Sequence, residues 1–124
     1  MVCATITRDP ILVNTQTARA IRDALHRSIV KTLDVKGEDV EIRVRKIGPL
    51  DINSSALGIE IDSGSGKDGW RIEKCPDILT QINQHLVAEN VVPKDLCAKG
   101  KSNVWLRIFA KGASMPIGCP DDMH

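Results

Sequence analysis

The sequence predicts an α/β fold of two tandem βαβ units, a four-stranded sheet with two helices on one face. One order of elements occurs twice. A strand-like run at residues 2–7, a helical period over 15–33 and an alternating strand at 40–44 are followed by a strand at 57–61, a helical period over 76–90 and an alternating strand at 104–109. Parallel strands cannot be joined by a tight turn and need a crossover helix, so each repeat reads as a pair of parallel strands bridged by its helix. Between the repeats the pattern dissolves around Gly48 and Pro49, a connection too long for a two-residue hairpin turn.

The first helix follows from a stripe of Ala18, Ile21, Leu25, Ile29 and Leu33 behind the capping candidates Asn14 and Thr15. Arg19, Asp23 and Arg27 follow at four-residue spacing on the other face, where such pairs contribute on the order of 0.3 kcal/mol each. Val40, Ile42 and Val44 alternate with Glu41, Arg43 and Arg45, the period of a strand with one buried and one polar face. Leu57, Ile59 and Ile61 form the third strand, and residues 62–69, DSGSGKDG, a strand-to-helix loop. Pro76 suits the first turn of the second helix, whose stripe is Ile78, Leu79, Ile82 and Leu86; Asn90 and Pro93 end it. A charged loop at 94–103 then leads to Val104, Leu106 and Ile108, alternating with Trp105, Arg107 and Phe109. The expected organisation is one α/β domain over residues 1–112, with βαβ units at 1–47 and 56–110. The Gly- and Pro-rich residues 113–124 read as a flexible C-terminal tail, a loose arm or a short edge contact.

Composition excludes several functions. With 124 residues and 42% hydrophobic content the chain can bury a real core. Its 17 basic and 16 acidic side chains, net +1, provide no overall field for nucleic acid or an anionic membrane. No apolar run approaches the roughly 18–20 residues of a membrane span, so a cytoplasmic protein is expected. Cys3, Cys75, Cys97 and Cys119 are scattered singly, the usage of free thiols in a reducing compartment.

Motifs for chemistry are sparse. Gly-Ser-Gly-Lys at 64–67 suggests a phosphate loop, but Ile61 stands where that motif needs glycine and Asp68 where it needs Ser or Thr. His26, His85 and His124 have no ligand-like spacing to one another, to Cys or to carboxylates, so no metal and no cofactor is expected. Ser54 and Ser55 lack the flanking glycines of a nucleophile elbow. What remains is the sheet face without helices, which would carry Arg43, Glu60, Trp105, Arg107 and Phe109. Neighbouring copies of the chain could bury its aromatics and leave charged pairs at the seams.

The element order, with VKGEDVEIRV at 35–44, NSSALGIEIDSGSG at 53–66 and NVWLRIF at 103–109, resembles the tautomerase superfamily, in particular its macrophage migration inhibitory factor-like members. The resemblance implies a homotrimer with pockets between subunits and a small organic carboxylate as ligand, while the charge balance already speaks against a nucleic-acid or membrane partner. It maps the ligand-binding positions to Lys36, Ser63, Gly64, Trp105 and Arg107. It maps the catalytic base, an amino-terminal proline in that superfamily, to Val2. A primary amine at Val2, if Met1 were removed, could serve as base, so keto–enol tautomerase activity is expected to be absent or altered. Read without the resemblance, Lys36 beside Gly37 is a turn lysine and Trp105 an interface or core filler, while Arg107 needs either a carboxylate partner or an anionic ligand. The alternative reading is a ferredoxin-like oligomeric interaction module with no catalytic site.

Overall fold

In a computed structural model, residues 2–48, 56–64, 66–98, 102–108 and 111–117 are described. Elements follow in the order β1 (Val2–Arg8), α1 (Thr15–Leu33), β2 (Val40–Lys46), β3 (Leu57–Ser63), α2 (Trp70–Glu73), α3 (Cys75–Ala88), α4 (Lys94–Ala98), β4 (Ser102–Ile108) and β5 (Lys111–Pro116). The sheet runs β2-β1-β3-β4-β5. β1 pairs with β2 and β3 with β4 in parallel, each pair bridged by helical segments, and an antiparallel β1–β3 pairing joins the two units. A split βαβ sheet of the ferredoxin kind would place another strand between the parallel partners. Here the partners are direct neighbours, so the ferredoxin-like alternative is not favoured.

α1 begins where Asn14 in extended conformation accepts a hydrogen bond from the Thr17 amide at 2.8 Å, and ends at Asp34 in the left-handed conformation. Its stripe packs on the sheet, with Ile21, Leu25 and Ile29 fully buried. α3 runs Cys75–Ala88 with Pro76 in its first turn, and buries Ile78, Leu79, Ile82 and Leu86. The helices meet through Ser28 Oγ and His85 Nδ1 at 2.7 Å and through Arg27 to Glu89, also at 2.7 Å. The expected ladder of Arg19, Asp23 and Arg27 along α1 therefore does not form as such. Asp23 instead pairs with the adjacent Arg22 at 2.9 Å, and Arg27 reaches across to α3.

β5 extends the expected four strands by pairing antiparallel with β4. Of the two readings of the tail, residues 111–116 take the edge contact, tied down where the Ile117 amide donates to Ser102 O at 3.1 Å. Residues 118–124 lie outside the described set. Two short helices were also unforeseen, because one turn is too little for a hydrophobic period to register: α2 lies within the expected strand-to-helix region and α4 within the expected charged loop.

Apolar strand residues turn to the helices at the described core positions. Ala4, Ile6, Leu57, Ile59, Ile61, Val104 and Leu106 form the core with the helix stripes. The opposite face carries Cys3, Glu41, Arg43, Glu60, Asp62 and Asn103, all exposed, and register positions 105 and 107 fall in the rows of Glu60 and Asp62. Ile59 lies in the central strand with no exposed surface. Ile59→Ala is expected to cost about 2–5 kcal/mol in urea unfolding, whereas Ile11→Ala, at a residue 89% exposed, should change stability by no more than about 0.5 kcal/mol.

Candidate functional site

Strand register brings the resemblance-derived positions to one end of the sheet. Val2 opens β1 opposite Val40 of β2, and Cys3 lies opposite Asp62 of β3. Asp62 lies opposite Arg107 of β4, and Ser63 opposite Ile108. The start of β1 and the ends of β3 and β4 therefore coincide, and Lys36 sits four residues ahead of Val40. Trp105 lies two residues further from that end, opposite Glu60. The side chains of Trp105 and Arg107 fall outside what is described, as do Met1 and Phe109.

The pleat divides these positions. Val2 and Ser63 are buried, on the helix side, with 1% and 8% of their surfaces exposed. Cys3, Asp62 and register position 107 belong to the row on the uncovered side. Within one chain the structure gathers them at a common edge and leaves them on two faces.

Lys36 is exposed and begins a short 3-10 turn, its carbonyl accepting from the Asp39 amide at 3.0 Å. His26 fixes that turn: its Nε2 lies 2.9 Å from Gly37 O, so that nitrogen carries the proton and donates. With its ring committed to that carbonyl, and His85 to Ser28, both helix histidines have structural partners. Ser28 and His85 form a serine–histidine pair across 57 residues of sequence, with Ser28 3% exposed.

Around Ser63 and Gly64 the structure adds a residue that sequence reasoning missed. Arg71, on α2, donates from Nη1 to Gly64 O at 3.3 Å and from Nη2 to Leu33 O at 3.5 Å. Ser63 Oγ donates to the same Gly64 carbonyl at 3.2 Å. Arg71 thus ties the end of β3 to the C-terminal turn of α1, where unpaired carbonyls and the helix dipole favour a cation. Its guanidinium carbon stands 5.7 Å from the centre of the Trp70 ring, and burial lowers its pKa from the ordinary arginine value. The Trp-Arg pair directly behind a glycine-rich loop was the available sequence signal.

That packing dictates the loop. Gly66 has φ +73°, and a Cβ there would lie 2.5 Å from Trp70 Nε1 and 2.8 Å from its Cδ1. Trp70 and Arg71 therefore leave room only for glycine at this point of the loop. Two cavities, of about 250 and 220 Å³, have walls that include none of Val2, Lys36, Ser63 and Gly64. Among the described residues no cluster of three or more His, Cys, Asp or Glu could hold a metal, and no helix is long and apolar enough to cross a membrane.

No family model matches the chain, and no curated protein matches it. Solved structures do. A fused 4-OT forming an asymmetric trimer aligns with a TM-score of 0.58 at 11% identity, over 86% of this chain and 85% of the other. An FG41 malonate semialdehyde decarboxylase inhibited by 3-bromopropiolate aligns with a TM-score of 0.52 at 17% identity, over 89% and 83%. The macrophage migration inhibitory factor of Toxoplasma gondii gives 0.52 at 14% identity, over 86% and 88%. The chain has the tautomerase/MIF fold. At these identities the likeness is one of fold, and it bears out the topological resemblance read from the sequence.

Within this fold the Gly66 loop is the tightest joint at the candidate site. Gly66→Ala should lower stability by at least about 1 kcal/mol in urea unfolding, since a side chain in the left-handed region costs roughly that much before any clash. Gly64→Ala, where an added Cβ meets nothing within 4 Å, should be the milder change.

Proposed function

We propose that the chain is a small-molecule-binding, tautomerase-like protein that self-associates as a homotrimer and takes a small organic carboxylate at the seams between copies. Its keto–enol tautomerase activity is absent or altered. The observation that carries this reading is the register: Val2, Ser63 and position 107 reach one end of the sheet but lie on its two faces. A copy of the chain laid on the uncovered face would wall in position 107, at the same end of the sheet that the backbones of Val2, Ser63 and Gly64 reach. The fold likeness to fused 4-OT chains described as asymmetric and symmetric trimers supports this arrangement.

In this pocket Arg107 and Lys36 supply positive charge for the carboxylate, with the guanidinium fork matched to its two oxygens. Backbone N–H groups at Ser63 and Gly64 add hydrogen bonds to it. The Trp105 ring packs against the organic part. The candidate base is the amine of Val2. An amine in apolar surroundings has its pKa lowered toward neutrality and can move a proton between the oxygen and carbon of a keto acid. A retained Met1 would displace that amine by a whole residue, and a primary amine replaces the secondary amine of proline. Both changes weaken the chemistry while leaving carboxylate binding intact.

Thermal shift against a panel of aryl and alkyl 2-keto acids tests binding. The expected result is a rise in Tm for the wild-type chain that Arg107→Ala abolishes. A panel that leaves Tm unchanged contradicts the reading. For catalysis, intact mass separates material with and without Met1, and ketonisation of an enolised keto acid is followed by ultraviolet absorbance. Material that keeps Met1 should match the buffer rate; turnover by that material would rule out the Val2 amine as base.

A further inference from the structure

At the opposite end of the sheet, the C-terminal ends of β1 and β2 meet the first turns of α1. Arg8 lies beside Lys46 in the parallel register. Above them Thr15, Ala18, Arg19 and Arg22 follow at the spacing of one helix face. With Val44 and Arg45 these residues wall the cavity of about 250 Å³. Five of its wall residues, Arg8, Arg19, Arg22, Arg45 and Lys46, are cationic, and none is acidic. In a chain of 17 basic and 16 acidic side chains, this is a concentration of charge that overall composition hides.

Internal ion pairing does not neutralise it. Of the five, only Arg22 forms an ion pair among the described residues, with Asp23 at 2.9 Å. Arg8 is 8% exposed. Its Nη1 donates to Val13 O at 2.7 Å, while its Nε is buried without a hydrogen-bond partner. Leaving a buried charged donor unsatisfied is costly, and crowding it with further cations adds to the cost. α1 presents the same polarity, since the positive end of its dipole faces this region and its first turn carries no acidic residue.

We infer that this groove is a binding site for a small molecule carrying a phosphate or pyrophosphate group. Guanidinium forks match phosphate oxygens two at a time, and several converging forks favour a multiply charged group over a single carboxylate. The cavity is smaller than the roughly 300–1,000 Å³ of sites for drug-sized ligands, which suits a compact anion. Val44, 40% exposed, and Ala18 give an apolar surface for a short organic remainder. The groove and the carboxylate site lie at opposite ends of β1, and neither proposal depends on the other.

Calorimetric titration of the intact chain with inorganic pyrophosphate at physiological salt tests the site. Saturable binding is expected, weakened about tenfold or more by the double variant Arg19→Gln, Arg45→Gln, as loss of two charge-assisted contacts would do. Both substituted residues are exposed, so circular dichroism and ligand-free Tm should stay as in the wild type, which separates lost binding from lost folding. Arg8→Lys, which keeps the charge and removes the fork, should weaken binding as well. Absence of saturable binding, or binding untouched by the double variant, overturns the site. Citrate binding as tightly as pyrophosphate overturns the assignment to phosphate.

Discussion

The structure depends on two parallel strand pairings, β1 with β2 and β3 with β4, set back to back through the antiparallel β1–β3 contact. Each parallel pair requires a crossover, and right-handed crossovers in both units place α1 and α3 on the same side of the sheet. The alternating apolar residues of β1, β3 and β4 that form the core face that side, because within one chain only there can they leave water. The same alternation sends Glu41, Arg43, Glu60 and Asp62 to the other side as a direct consequence of the pleat. A half-covered sheet bearing a mixed charged face is thus the product of connectivity.

Connectivity also brings the chain ends of different strands together. Antiparallel β1–β3 pairing places the start of β1 beside the end of β3, and parallel β3–β4 pairing adds the end of β4. One end of the sheet therefore collects the amino-terminal residue of β1, the Ser63–Gly64 corner and position 107. The other end collects the C-terminal ends of β1 and β2 beneath the first turns of α1. These two ends have different chemistry. At the first, Arg71 is engaged with backbone carbonyls at the glycine-rich corner, while the second crowds cations with little to neutralise them.

Elements with a repeating pattern were legible in the sequence. The stripe from Ala18 to Leu33 and the cap at Asn14 marked α1, and the alternation around Ile42, Ile59 and Leu106 marked three strands, because burial acts on every second or every third to fourth residue. Features without a period were not. α2 and α4 are single turns, and β5 is held by pairing with β4 more than by any pattern of its own. Arg71 and the cationic groove depend on residues brought together by folding: Arg8, Arg22 and Lys46 are distant in sequence and adjacent only once β1, β2 and α1 pack. Of the candidate site, the register placed Val2, Ser63 and position 107 at a common end, whereas their division between two faces became visible only with the strand order in hand.

The proposed carboxylate pocket has no second wall unless copies of the same chain close the uncovered face. Sedimentation equilibrium across a range of protein concentrations tests this most directly. A homotrimer gives a molar mass three times that of the 13.6 kDa chain, stable on dilution. A mass that stays at one or two chains at every concentration would contradict it.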